Sequence, residues 1–214
     1  MHVVCMGMFF GKDSMLWVDS STLEIIYPVS LPGNTTPGRQ PSPNFWRKIA
    51  GERVIGVDVK YVIAPHHVPG HWCLVVVDFI KAKIIYYCSM CQGSYATQAA
   101  RHIAKWLQEE CERQNVAGYF RPSNFELVKW IRGPRQTNGV DCGVCVLSVA
   151  DILATKGEAA FYSVGDDVRE LWQPLVITQK RYQYGCYAIS CPNIPGANDL
   201  RRLMHQDTDA LCTD

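Results

Sequence analysis

His71-Trp72-Cys73-Leu74-Val75-Val76-Val77-Asp78-Phe79, followed after Ile80-Lys81-Ala82-Lys83 by Ile84-Ile85-Tyr86-Tyr87, is the stretch that decides the fold. From Trp72 to Phe79 the run is almost unbroken in apolar residues, the pattern of a buried strand. Two such runs around a short polar break predict a β-hairpin. Upstream, Arg53 to Ala64 is dominated by β-branched residues (Val54, Ile55, Val57, Val59, Val62, Ile63) and also reads as strand. After Gly93 the period changes: Ala96, Ala99, Ile103, Trp106 and Leu107 recur at three- and four-residue steps. That spacing predicts a helix, capped by Ser94 and ended before Gly118. Phe125 to Ile131 reads as a further strand, and Gly133-Pro134-Arg135-Gln136-Thr137-Asn138-Gly139 as a polar turn. A second helix is predicted from near Cys142 through Val146, Val149 and Leu153 to about Thr155, and a weaker one over Asp167 to Leu175. Residues 28 to 43 are a loop by composition, and the segment from Gly185 shows little periodicity.

The 214 residues suit one medium domain with a real core, or two small ones at most. A 48% hydrophobic share with 11% aromatics excludes a disordered chain, and 16 Gly with 12 Pro excludes a fibrous one. Lys and Arg number 21 against 20 Asp and Glu, a net charge of +1. That balance offers no electrostatic footprint for nucleic acid, so no nucleic-acid partner is expected. No run of 18 apolar residues exists, and no membrane association is expected. Val3 to Phe10 lacks a basic leader and a small-residue cleavage site, making it a poor signal peptide. Ten cysteines in an unsecreted chain are expected to be free thiols, a metal site or a catalytic group rather than disulfides.

Three readings of the cysteines compete. Cys88-x-x-Cys91 and Cys142-x-x-Cys145 have the spacing of zinc ligands. However, Cys142 and Cys145 open an apolar helix, Cys88 ends a strand, and the 50 intervening residues exceed the usual ribbon spacing of roughly 15 to 20. No metal site is therefore expected. Cys142-Gly143-Val144-Cys145 at a helix start also has the form of a dithiol redox motif, but it comes late in the chain after a Gly/Pro/Asn turn. Cys145 is read more simply as a small core residue. The third reading makes Cys142 a nucleophile. A catalytic thiol needs a base for its proton and donors for the oxyanion formed on attack. Cys142 stands at a helix N-terminus, where aligned peptide dipoles favour thiolate. Gln136 precedes it in the turn, and His71 opens the apolar strand.

His71-Trp72 before Leu74-Val75-Val76-Val77-Asp78, with Gln136 six residues ahead of Cys142 in Asp141-Cys142-Gly143, resembles the ubiquitin-like-protein-specific (SUMO-type) cysteine protease family. Trp17-Val18-Asp19-Ser20-Ser21-Thr22-Leu23 resembles, more loosely, that family's opening Trp-Leu-x-Asp helix. The resemblance covers roughly residues 17 to 180. It implies an α+β, papain-like fold: a central mixed sheet flanked by helices, with the nucleophile at a helix N-terminus. It divides the chain into a catalytic domain, 1–182, and a divergent tail, 183–214. It makes His71 the general base, Cys142 the nucleophile and Gln136 the oxyanion donor. Trp72 would wall a tunnel for a Gly-Gly tail, with Trp17 opposite, since only glycine lets backbone pass between two indoles. It implies thiol hydrolysis at the Gly-Gly end of a ubiquitin-like modifier, no cofactor, and a nuclear or cytoplasmic location.

A third member should hold the second ring nitrogen of His71. Asp78 fails on distance, because seven residues of extended strand span about 23 Å at roughly 3.3 Å each. Folding the hairpin about Ile80 instead brings position 88 or 89 beside His71. Where the family carries the acid of a Tyr-x-Asp-Ser stretch, this chain has Tyr86-Tyr87-Cys88-Ser89. The third-member position is thus Cys88, and a neutral thiol cannot compensate an imidazolium charge. The expectation is a weakened protease. The alternative is a pseudoprotease that binds the modifier without cutting it.

Overall fold

The computed structural model describes residues 13–18, 51–91, 93–116, 118, 120–130, 133–136 and 138–163. Five strands form one mixed sheet in chain order: β1 (Met15–Trp17), β2 (Tyr61–Val68), β3 (His71–Asp78), β4 (Lys83–Tyr87) and β5 (Glu126–Trp130). The middle three make an antiparallel meander, with Ile63 opposite Val76 and Val76 opposite Ile85. The outer two pair in parallel, β1 on β2 and β5 on β4. Among the described residues two α-helices flank the sheet, α1 (Ala96–Arg113) and α2 (Cys142–Ser163). This is the mixed-sheet α+β architecture that the family resemblance implied.

Strand alternation assigns one face of the sheet to each helix. Val62, Ala64, Cys73, Val75, Val77, Ile84 and Tyr86 pack with α1 residues Ala99, Ile103, Trp106 and Leu107. Tyr61, Ile63, Leu74, Val76, Ile85 and Tyr87 pack with α2 residues Cys145, Val146, Val149 and Leu153. The strand β3 is buried on both faces, which is why its sequence is a continuous apolar run rather than an alternating one.

Three sequence expectations change. Arg53 to Lys60 is not strand: Asp58 Oδ2 accepts the Val54 N–H at 2.8 Å, Gly56 takes φ 84°, and only an Ile55–Val59 bridge forms. A side-chain-capped turn outcompetes the β-branched composition there. Tyr95, not Ser94, is the N-cap of α1, and it makes no side-chain capping bond. The helical stretch that opens at Cys142 breaks at Gly157, with φ 79° and ψ −176°, next to the end expected near Thr155, and a second stretch continues to Ser163. Trp17 closes a strand rather than opening a helix, because it is paired beside Ile63 of β2. The helix over 167–175 and the boundary at residue 182 lie outside the described residues. Among the described residues no helix is long and apolar enough to cross a membrane.

Candidate active site

The site forms where β3 begins, β4 ends and α2 begins. His71 is the first residue of β3 and is 6% exposed. The β3–β4 register, Leu74 opposite Tyr87, brings the end of β4 back alongside it. His71 Nε2 lies 3.2 Å from Cys88 Sγ, with Cys88 itself 5% exposed. The residue beside the imidazole is therefore the one that hairpin geometry anticipated. Asp78 sits at the far end of the strand. Its Oδ1 accepts the N–H groups of Ile80 and Lys81 at 2.8 and 2.9 Å, and its Oδ2 accepts the Tyr162 hydroxyl at 2.6 Å.

Cys142 is the first residue of α2, and the bond from Cys145 N–H to Asp141 O at 2.9 Å makes Asp141 the N-cap. Leading amides of a helix lack intrahelical acceptors, so the N–H groups of the first turn stand at the Cys142 end. The approach to that turn is built by Asn138. Its Oδ1 accepts from the Val140 and Asp141 N–H groups, and its Nδ2 donates to Asp141 Oδ2. This is an Asx turn feeding a helix cap. Asp141 is buried at 3% exposure, so its carboxylate needs such a donor.

Gln136 is held against the end of β4. Its backbone N–H donates to Ser89 O at 3.2 Å, and the Ser89 hydroxyl donates to its Oε1. Its Nε2 donates to Asn138 O, keeping one amide hydrogen in the turn. Upstream, the Tyr87 hydroxyl donates to Pro134 O at 2.6 Å. A Cβ at Gly133 would overlap the Tyr87 ring, so only glycine lets the turn lie this close to β4. The Gln136 turn, Cys88 and the start of α2 are thus fastened to one strand end.

Trp72 and Trp17 both pack on the α2 face of the sheet. The Trp72 ring lies 4.5 Å from that of His67, its cross-strand partner. Trp17 is aligned with Ile63, which places it two strands and four residue steps from Trp72. That is about 13 Å along the sheet and about 10 Å across it. The two indoles share a face without adjoining backbones.

The two C-x-x-C pairs do not converge. Cys91 is exposed in a turn with φ 57°, its N–H bonded to Cys88 O, whereas Cys145 is buried against the sheet. Burial, followed by Asp141 nearby, pushes the Cys145 thiol up to about 12, unlike a poised redox partner. A different thiol joins the site instead. Cys73 Sγ, Cys88 Sγ and a ring nitrogen of His71 all lie within 4.8 Å of one another. The hydrogen bond with Cys88, then burial, raises the Cys73 thiol far above its ordinary value, and the nearby Cys142 adds to the rise. Cys142 is thereby close enough to act electrostatically on this group. The sequence reading missed Cys73, although the signal was present: a hairpin folded about Ile80 that sets 88 by 71 also sets 88 across from 73.

On the same face, His66 is the cross-strand partner of Cys73. It is 6% exposed, and among the described residues neither ring nitrogen has a hydrogen-bond partner. Burial, then His102 and His67, lowers its pKa to about 4, so it is neutral at ordinary pH.

A buried thiol that opens one helix and an imidazole that opens a strand of a mixed sheet belong to the class of papain-like α+β folds. Residues 43–181 match the Ulp1 protease family, C-terminal catalytic domain. The chain belongs to that family. A sentrin-specific protease of Caenorhabditis elegans is 34% identical over 84 residues, which is 39% of this chain and 12% of that protein. Sentrin-specific protease 3 of Homo sapiens is 31% identical over 109 residues, 48% of this chain and 17% of that protein. The matched regions thus span less than a fifth of those relatives. Among solved structures, the Chaetomium thermophilum Ulp1-like SUMO protease catalytic domain superposes with a TM-score of 0.56 at 17% identity, covering 86% of this chain and 70% of that one. SUMO protease Ulp1 with its catalytic cysteine oxidised to a sulfenic acid also gives 0.56, at 16% identity, covering 84% and 70%. These likenesses establish the shared fold.

Proposed function

We propose that the chain is a thiol peptidase that cleaves after the Gly-Gly tail of a ubiquitin-like modifier, of the SUMO type. Family membership supports the reaction class, and the relatives' description as sentrin-specific proteases supports the substrate class. The observation that carries the reading is the fastening of Gln136, His71 and Cys142 to one strand end and one helix start.

In this reading His71 takes the proton of Cys142, and the thiolate attacks the carbonyl carbon of the terminal glycine. The oxyanion is met by the second Nε2 hydrogen of Gln136 and by amides of the first turn of α2. His71 returns its proton to the leaving amine. Water then attacks the thioester on Cys142, with His71 again as base, releasing the modifier and the free thiol. Trp72 covers the glycine tail from the α2 face, and Trp17 lines the approach rather than facing Trp72 directly. The cell compartment that goes with this substrate is the nucleus or cytoplasm.

Cys88 in the acid position weakens the enzyme without disarming it. An orienting carboxylate fixes the base tautomer and stabilises imidazolium, and its loss costs about 10⁴ in turnover in serine-protease triads. A thiol at 3.2 Å still holds the ring in place. The same observation motivates the second reading, a binder that captures the modifier without cutting it. A modifier bearing a C-terminal electrophile separates the two. The protease forms a covalent adduct that Cys142→Ala abolishes, whereas absence of an adduct despite measurable binding selects the binder.

A further inference from the structure

The register that sets Cys88 against the imidazole sets a second thiol there too. His71, Cys73 and Cys88 are all buried, and their three donor atoms lie within 4.8 Å of one another. Tetrahedral zinc holds sulfur at about 2.3 Å and imidazole nitrogen at about 2.0–2.1 Å, so its ligand atoms stand roughly 3.6–3.8 Å apart. The His71–Cys88 separation of 3.2 Å needs to open by only a few tenths of an ångström. His71 and Cys73 are carried by β3, and Cys88 directly follows the last residue of its paired strand β4, so the triangle exists before any ligand arrives. A second observation points the same way. His66, the cross-strand partner of Cys73 on the same face, is an imidazole more than nine-tenths buried whose two nitrogens have no partner among the described residues. A buried polar ring without a hydrogen bond is costly, and a cation bound beside it would give it a role.

We propose that His71, Cys73 and Cys88 form a binding site for a thiophilic divalent cation, with zinc as its natural occupant. His71 contributes Nε2 and both cysteines contribute thiolates. The fourth position is open to water or, after a side-chain rotation, to His66. The two thiol protons are released on binding. Two sulfurs and a nitrogen with no carboxylate in the group select zinc over magnesium or calcium.

Zinc at Nε2 leaves the proton on the other ring nitrogen, so the imidazole has no lone pair for the Cys142 proton. The bound state is therefore inactive, a consequence that rests on the reading of His71 as base. The chain becomes a protease throttled by zinc through the position that carries an acid in its family.

The test uses the full chain in a non-thiol reductant, with zinc or cobalt(II) added alone. One zinc per chain is expected by equilibrium dialysis, and cobalt should give thiolate-to-metal charge-transfer absorption of two-sulfur strength. Cys73→Ser and Cys88→Ser should each weaken binding by more than about tenfold, given that even outer-shell changes cost 10–100-fold. Cys91→Ser, at an exposed thiol, should bind normally. A zinc-dependent rise in melting temperature in the parent, absent from a Cys73→Ser protein that melts normally without metal, separates ligand loss from misfolding. With a Gly-Gly-tailed fusion as substrate, zinc should inhibit the parent, and in Cys73→Ser it should change the variant's own metal-free rate far less. Unchanged zinc binding in Cys73→Ser, or cobalt absorption without a thiolate band, overturns the site. Normal metal binding by a chain that cleaves nothing in metal-free buffer upholds the site and overturns the protease reading.

Discussion

The two ends of strand β3 solve the same problem differently. At one end Asp78 is fully buried, and three donors meet its carboxylate: two hairpin amides and the Tyr162 hydroxyl. Around it Lys81 pairs with Glu158 at 2.7 Å and lies 3.7 Å over the Tyr162 ring, while the Tyr61 hydroxyl donates to Glu158 at 2.8 Å. Every partner there is a strong donor or acceptor, and the result is an anchor for the far end of α2. At the other end the partners of His71 among the described residues are the thiols of Cys88 and Cys73, which donate and accept weakly. A polar group whose bonds are all made is structural. One held by soft, exchangeable partners stays available for chemistry.

The largest effect should come from making the two ends alike. Cys88→Asp gives His71 the carboxylate that its counterpart end already has. Cleavage of a Gly-Gly-tailed modifier fusion should rise by about 10²-fold or more, within the ~10⁴ that an orienting acid contributes elsewhere. No increase in rate would sink the assignment of Cys88 to the third position.

Breaking the anchor should cost stability. Asp78→Ala leaves two hairpin amides and a buried hydroxyl without their acceptor, a loss of about 3 kcal/mol or more, read by urea denaturation. A shift below about 1 kcal/mol would show that the anchor is not what holds α2. Tyr162→Phe removes one bond of the three and should cost about 1 kcal/mol. Since it lies at the far end of the strand, it should leave the turnover number unchanged in a steady-state assay.

The smallest effect is on pH dependence. Glu158 has its pKa held below the ordinary value, first by the Lys81 hydrogen bond and then by that of Tyr61. A carboxyl depressed in the folded state contributes stability above its unfolded pKa, and loses it as the pH falls through the folded one. Acidification should therefore destabilise the parent slightly more than Glu158→Gln, measured as the difference in melting temperature between neutral and acidic buffer. Equal pH profiles would show that the Lys81 pair is solvated away.

How legible all this was from sequence differs between local and distant features. The meander was plain because β3 and β4 are each one apolar run, and its register followed from the short break between them. The start of α2 was plain from Asp141-Cys142-Gly143 and the apolar positions after it. Misreadings occurred where side chains overrule composition. Asp58 ties Val54 into a turn, and Tyr95 rather than Ser94 heads α1. The parallel pairings of β1 and β5 leave no trace in any local window, so Trp17 could not be placed on a strand. Of the site, His71 and Cys88 were found as a pair, but Cys73 was not. Its importance comes only from facing Cys88, and an isolated cysteine in an apolar strand reads as filler.

The parallel edges also bear on how the chain comes together. Closing a loop costs more entropy the longer it is, and contacts between distant residues form late. The meander from Tyr61 to Tyr87 is local, whereas the pairing of β5 and the docking of α2 must wait for distant chain. Loop entropy therefore orders the assembly, with His71 set against Cys88 before Cys142 is delivered to either. Cys142 is the last part to arrive, and a half-folded chain carries the imidazole of His71 without it.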